Sequence, residues 1–178
     1  MRNVTYGGAC SLDGYLTGPD GSLDWLHFSP DVQRIVTEYW KGIDTILMGR
    51  KTWETAAASG AGGGGGGSAG ITTVLFSRTL RDRPPPGVTL VSDDAGGFVR
   101  ALKAKPGKNI CLMGGGELAH SLFEAGVVDE VGLNIHPVLL GGGVPVFLPS
   151  PHRVRLALVE NRTLDGGCVM ATYRVVHA

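Results

Sequence analysis

The 178-residue sequence has no charge excess: 16 Lys and Arg are balanced by 16 Asp and Glu. Charged residues make up only 18% of it, below the usual ~25%. An electrostatic binder of nucleic acid or of an acidic membrane needs a basic surplus or stripe, so neither partner is expected. No stretch approaches the ~20 apolar residues of a membrane span. The opening MRNVTYGGACSLDG has no apolar core for a secretory signal, so a soluble cytoplasmic chain is expected. Cysteine is scarce and odd in number. Cys10, Cys111 and Cys168 each lie in an apolar, strand-like run, which fits buried thiols better than a disulfide framework. His27, His120, His136, His152 and His177 are scattered, with no H-x-x-x-H or C-x-x-C spacing, so no metal is expected. No Gly-Lys-Ser/Thr occurs, which removes the Walker A phosphate loop.

What is abundant is glycine, at 29 residues. Eight of these fall between residues 60 and 70, inside the low-complexity run SGAGGGGGGSAG at 59–70. That run reads as a flexible loop, because glycine loses the most backbone entropy on ordering. The string Gly66-x-Ser68-x-Gly70 lies within it and precedes a strand, so it cannot be the strand–turn–helix nucleophile elbow of a hydrolase. With 43% apolar residues the chain can build a core, and its length suits one domain spanning 1–178.

The remaining glycines punctuate a pattern of alternating strands and helices. Val4 to Cys10 reads as a strand, followed by turn signals in SLDGYLTGPDGSLDWL. Residues 30–40 carry Val32, Ile35, Val36, Tyr39 and Trp40 at helical spacing, with Ser29 placed to cap and Pro30 in the first turn. DTILM at 44–48 is a strand, and RKTWETAAA after Gly49 is helix-prone. Further strands are expected at 71–76, 88–92, 109–113 and 131–138. Helices are expected at 95–105 and 117–125, and RPPPG at 83–87 is a stiff loop. The tail from Arg155 reads as a hairpin turning near Asp165-Gly166-Gly167. This order predicts an α/β fold with a mixed sheet.

Four strand exits carry chemistry-bearing residues. Met113 leads directly into Gly114-Gly115-Gly116 and a helix from Glu117 and Leu118. There the backbone can approach a ligand, and the helix N-terminus favours a phosphate. The string Gly114-x-Gly116-x-x-Ala119 also fits the dinucleotide fingerprint, but it lies late in the chain and lacks the acidic residue ~20 positions on. Gly49-Arg50-Lys51-Thr52 places two cations at a helix start, against the dipole, a choice that anion binding explains. Ser77 and Arg78 follow the strand ending at Phe76, where open α/β sheets bind ligands. Together these exits suggest a dinucleotide. Asp13, in SLDGY after the first strand, and Asp24 are the carboxylates available for substrate binding or proton transfer.

The ordered strings SLDGYLTGPDGSLDWL, DTILMGRKTWE, VLFSRTL and ICLMGGGELAHSLFEAGVVDEVGLNIHPVLLGGGVPVF closely resemble the RibD C-terminal domain family. These are dihydrofolate-reductase-like proteins that include the riboflavin-pathway reductase domain. The resemblance covers nearly the whole chain and fails mainly at 56–70. It implies a dihydrofolate-reductase-like fold, with a mainly parallel central sheet, flanking helices and a C-terminal antiparallel hairpin. It implies NADPH as hydride donor to a small heterocyclic substrate, similar to 5-amino-6-(5-phosphoribosylamino)uracil. Carried over by motif, Ala9 and the 12–16 segment with Tyr15 and Leu16 border the nicotinamide. Gly49, Arg50, Lys51 and Thr52 hold the adenosine-side phosphates, with Arg50 on the 2′-phosphate. Ser77 and Arg78 flank the adenine ribose, and Met113, Gly114, Gly115, Gly116, Glu117 and Leu118 wrap the pyrophosphate. Dihydrofolate reductase places a pteridine-gripping carboxylate on its first helix. The matching place here falls near Gln33, with Asp31 one helical step away, which disfavours folate. A dihydrofolate or pterin reductase and a non-catalytic nucleotide-binding module are the alternatives. The resemblance also implies a homodimer, with Val138 to Leu148 as the candidate interface. No deaminase domain is expected ahead of a first strand that begins at residue 4.

Overall fold

Short apolar runs bounded by glycine form the strands of one eight-stranded sheet. In this computed structural model, residues 1–58, 70–80, 84 and 86–177 are described. The glycine-rich 59–70 segment, apart from Gly70, and Arg83 and Pro85 of the proline loop lie outside them. The strands are β1 (Val4–Ser11), β3 (Ile43–Gly49), β4 (Thr72–Phe76), β5 (Val88–Val91), β6 (Asn109–Met113), β7 (Glu130–His136), β9 (Arg155–Thr163) and β10 (Val169–Val176). Their order across the sheet is β5-β4-β3-β6-β1-β7-β10-β9. All pairings from β5 to β7 are parallel, and β10 runs antiparallel to both β7 and β9. The tail hairpin turns through a short 3-10 segment at Asp165–Gly167, as its glycines suggest. Parallel strands with both faces covered read as continuous apolar runs; Ile46, Leu47 and Met48 of β3 are accordingly all fully buried.

Four helices cover the sheet: α1 (Pro30–Lys41), α2 (Arg50–Ala58), α3 (Ala95–Ala104) and α4 (Glu117–Glu124). Val99 of α3 and Ala119 and Leu122 of α4 pack with Val4, Tyr6, Leu47 and Leu112 in the main core. Trp40 of α1 and Trp53 of α2 pack with Ile46, Met48 and Leu75 in a second cluster. Val32 and Ile35 of α1 meet Leu164, Cys168 and Met170 in a third. The apolar stripe expected on α1 is only partly used: Val32 is buried, while Val36 and Tyr39 remain exposed. Ser29 caps α1 as its position suggested, accepting from the Val32 N–H. All three cysteines are buried and free; burial pushes the Cys10 and Cys111 thiols up to about 11. No described helix is long and apolar enough to cross a membrane.

A two-stranded ribbon lies apart from the main sheet, pairing β2 (Tyr15–Thr17) with β8 (Val144–Pro145). Neither strand carries an apolar alternation long enough to be read from sequence. Polar anchors hold the bottom edge of the main sheet. The Asp129 carboxylate accepts from the Val4 N–H at 2.8 Å and pairs with Lys103 Nζ at 2.7 Å. Arg2 donates to Asp44 and Thr45.

At the centre of the sheet Gly7 of β1 faces Gly132 of β7 across the ladder. A Cβ on Gly7 would collide with the Gly132 carbonyl oxygen, a backbone atom that cannot step aside. Gly7→Ala is therefore expected to destabilise the fold by about 1–3 kcal/mol through overpacking. Urea unfolding measures this directly, and an unchanged midpoint would contradict the close approach.

Candidate functional site

Because β1, β3, β4 and β6 are parallel, their C-terminal ends share one edge of the sheet, where open α/β folds bind ligands. The exits after β3 and β6 meet there. Gly114 has φ +86°, a left-handed conformation that glycine adopts without strain, and a Cβ on it would strike the Thr52 side chain of α2. A Cβ on Gly115 would lie 2.6 Å from Leu16 Cδ1 and 2.8 Å from the Pro145 carbonyl oxygen. One on Gly49 would meet Leu118 Cβ at 3.9 Å. Gly49, Thr52, Gly114, Gly115, Leu118 and Leu16, distant in sequence, thus converge. Met113, part-buried at the end of β6, pairs with Met48 of β3.

Gly116 differs from its two neighbours. It has φ +77°, and the space where a Cβ would stand is open. It is the N-cap of α4, and no side chain caps that helix. The first-turn N–H groups, including those of Glu117 and Leu118, therefore lack a side-chain acceptor, which gives an anion-compatible end. Arg50 and Lys51 open α2 beside this cluster. The Arg50 Nε lies 3.6 Å from Glu54 Oε1, with the guanidinium side chain 42% exposed. An exposed i,i+4 pair of this kind is worth ~0.3–0.5 kcal/mol, little enough for a ligand phosphate to displace.

Ser77 and Arg78 follow β4 at the same edge. The Ser77 Oγ accepts from the Thr79 and Leu80 N–H groups at 3.3 and 3.0 Å, so it shapes its own turn and retains its hydroxyl proton for donation. Arg78 is exposed.

The β2–β8 ribbon lies against Gly115 as a strap. Three bonds hold it: Tyr6 donates its phenolic O–H to the Val146 carbonyl, Val146 N–H donates to the Gly14 carbonyl at 2.8 Å, and Leu12 N–H donates to the Val138 carbonyl at 2.9 Å. Asp13 sits at the strap's hinge. Its carboxylate accepts from Ser11 Oγ at 2.6 Å, Gly141 N–H at 2.8 Å and Leu140 N–H at 3.1 Å. The Ser11 hydrogen bond, with the two amides adding to it, holds its pKa below the usual carboxylate range. That arrangement suits an anchor for the 138–143 loop; a proton donor needs the opposite shift. Asp24 is exposed in the turn at 24–25. Within the candidate interface Val138 to Leu148, Leu139, Val144 and Phe147 are exposed and Val146 is buried.

Between α1 and the sheet lies a second feature that sequence reading missed. Ala9 of β1 pairs with Asn134 of β7, and Asn134 in turn with Met170 of β10. Ala9 and Asn134 are only part-buried although their strands are central, so the sheet is incompletely covered there and forms a groove floor. Asn134 Nδ2 lies 3.3 Å from Nε2 of His136. His136 is buried, accepts from the His27 N–H at 3.4 Å and meets the Trp25 ring edge-on at 5.2 Å. Burial, with His27 nearby, lowers its pKa and keeps the ring neutral. The available signal was a polar residue inside the apolar strand EVGLNIH. Asp31 does not serve this groove. It accepts from the Asp165 N–H at 2.9 Å and contacts Ser29, while Gln33 donates to the Phe28 carbonyl.

Comparison with known proteins settles the kinship. The family model of the RibD C-terminal domain matches residues 2–170. The chain belongs to the RibD C-terminal domain family. It is 32% identical over 181 residues to YyaP, an uncharacterized protein of Bacillus subtilis strain 168, covering 97% of this chain and 95% of that one. Its fold matches a putative riboflavin biosynthesis protein from Shewanella sp. PV-4 with TM-score 0.84 and 26% identity, over 99% of this chain and 100% of that one. Dihydrofolate reductase from Enterococcus faecalis, solved with NADP(H), shares the fold at TM-score 0.65 and 18% identity, covering 97% of this chain and 96% of that one. The Thermotoga maritima deaminase/5-amino-6-(5-phosphoribosylamino)uracil reductase does so at TM-score 0.73 and 16% identity; 98% of this chain matches 57% of that longer one. This RibD C-terminal domain therefore has a dihydrofolate-reductase-like architecture.

The Asp13 anchor has a pH signature. Its depressed pKa contributes stability above the unfolded value of ~3.9, and the contribution is lost as pH falls through the folded value. Asp13→Asn is expected to speed amide exchange at Leu140 and Gly141 at neutral pH, and to flatten the acid response of those two amides. Hydrogen exchange followed by NMR tests this; unchanged protection at both would exclude the anchor role.

Proposed function

We propose that this protein is an NADPH-dependent oxidoreductase that reduces a small heterocyclic substrate, similar to the 5-amino-6-(5-phosphoribosylamino)uracil named for the Thermotoga relative. The observation that carries this reading is the uncapped start of α4 behind Gly116, with open space at that glycine and Thr52 and Arg50 close by. A dinucleotide fits these residues: N–H groups without side-chain acceptors face the anionic end, and cations flank it.

In this reading Gly114 to Leu118 hold the pyrophosphate. Gly49, Lys51 and Thr52 hold the adenosine-side phosphates, and Arg50 meets the 2′-phosphate. Ser77 and Arg78 flank the adenine ribose, and Ala9, Tyr15 and Leu16 border the nicotinamide. The bound cofactor supplies the hydride. The protein's part is to orient the ring against the substrate and exclude water, for which the strap over Gly115 is placed. Asp13 is engaged as an anchor, so proton delivery falls to Asp24 or to water. The engagement of Asp31 with the 165–167 turn leaves the first helix without a carboxylate for a pteridine ring, which favours a pyrimidine-type substrate over folate.

Titration with NADPH and NADH, followed by tryptophan fluorescence, tests the cofactor assignment. Tighter binding of NADPH is expected. Arg50→Ala should weaken NADPH by about 1.5–3 kcal/mol, the scale of a charge-assisted contact, and leave NADH nearly unchanged. Equal weakening of both would sink the 2′-phosphate role. Tight cofactor binding without hydride transfer to any pyrimidine or pterin would favour a non-catalytic nucleotide-binding module.

A further inference from the structure

We infer that the uncovered apolar face of the β9–β10 hairpin packs against the same face of a second copy of this chain, about a twofold axis. The hairpin is two-sided. Across its ladder Leu156 lies opposite Val175 and Leu158 opposite Tyr173. Opposed residues share a face, and Val175 and Tyr173 belong with the main core cluster. This is therefore the side that α3 and α4 cover further along the sheet. On the other side Arg174 lies opposite Ala157 and Arg162 opposite Met170, and Arg162 pairs with Glu160 at 2.5 Å. In a sheet with one wet face, the polar side is the one that meets water. Here the apolar side is left open as well: Leu156 is 42% and Leu158 55% exposed.

The helical cover stops short of β9. A cavity of about 290 Å³ opens between α4 and that strand, with Phe123, Phe147, Val154 and Leu156 among its lining residues. It runs back to Gly116 at the start of the helix. Phe147 and Val154, also about half exposed, continue the patch that Leu156 and Leu158 begin. Apolar side chains gathered in this way on a folded protein mark an interaction surface. The run at 59–69 holds only Gly, Ala and Ser, so it has no large apolar side chain with which to fill the cavity.

A second copy fits by charge and by size. A twofold axis sets a patch on its own image, so a charge at the centre would meet a like charge. The centre here, Phe147, Val154, Leu156, Leu158 and Tyr173, carries none. At its rim Glu124 is already paired with His152 at 3.4 Å and accepts from Ser150 Oγ at 2.9 Å. From strand spacing and rise, β7, β10 and β9 with the 147–154 segment alongside span roughly 20 by 27 Å, a footprint of ~500 Å². Side-chain relief makes the accessible area larger, on the scale of the ~800 Å² that each partner buries in a standard interface. Two such faces stack about 10 Å apart, as the sheets of a β-sandwich do. The hairpin is thus the centre of the interface, and of the segment Val138 to Leu148 it is Val146, Phe147 and Leu148 that border it.

Sedimentation equilibrium of the full chain at about 50 μM tests this, and a closed dimer of the wild-type protein is expected. Leu158→Arg sets a cation against its own image in an apolar contact. It should raise the dimer dissociation constant at least about tenfold while the far-UV circular dichroism stays unchanged. Val36→Arg makes a comparable change at an exposed position of α1 and should leave the dimer intact. A monomeric wild type, or an open-ended series of larger species, would overturn the inference. So would a Leu158→Arg protein as dimeric as wild type, which would point instead to pairing along the free edge of β9, or loss of the dimer in Val36→Arg. If Leu158→Arg does not fold, Val154→Arg, just ahead of β9, is read in the same way.

Discussion

The common direction of the strands from β5 to β7 is the constraint on which the site depends. Parallel pairing gathers the exits of β1, β3, β4 and β6 on one edge. It also requires crossovers, and the crossover helices α2 and α4 begin where their strands end. Two helix N-termini are thereby aimed at one place without any residue having been chosen for it. Local chemistry then decides what the place can hold. Gly114 lets the turn settle on Thr52, Gly115 lets the strap settle on the turn, and Gly116 leaves room.

Sequence reading and structure agree most closely where period and punctuation are strong. β3 and β6 are short apolar runs closed by glycine, and α4 is an apolar stripe bounded by Gly116 and Gly126. Each falls within a residue or two of its expected position. In the sequence, the excess of glycines after β6 reads as provision for a ligand. The structure divides that provision. Two of the three glycines serve packing, against Thr52 and against the strap, and one faces open space. From sequence the three were indistinguishable, because their partners lie scores of residues away.

The strap itself was illegible for a related reason. β2 and β8 are three and two residues long and far apart in the chain, too short for any period to appear. Asp13 beside Gly14 read equally well as turn residue or catalytic acid. The bonds from Leu140 and Gly141 that favour an anchoring role come from a segment more than a hundred residues later. Asn134 was hidden in the opposite way. Its strand was foreseen, but a single polar residue in an apolar run says nothing of its partner until the neighbouring strands are in register.

Tyr6 links the core to the strap. Its ring is packed in the main cluster against Phe123 and Phe147, and its hydroxyl ends on the Val146 carbonyl. Burial raises its pKa well above that of an ordinary phenol, so the hydroxyl keeps its proton and remains a donor at any physiological pH. Without the Val146 carbonyl that donor would stand unpaired among apolar side chains, a costly arrangement for a buried hydroxyl. The position of the ribbon over the glycine turn is thus tied to the aromatic core through a single hydroxyl.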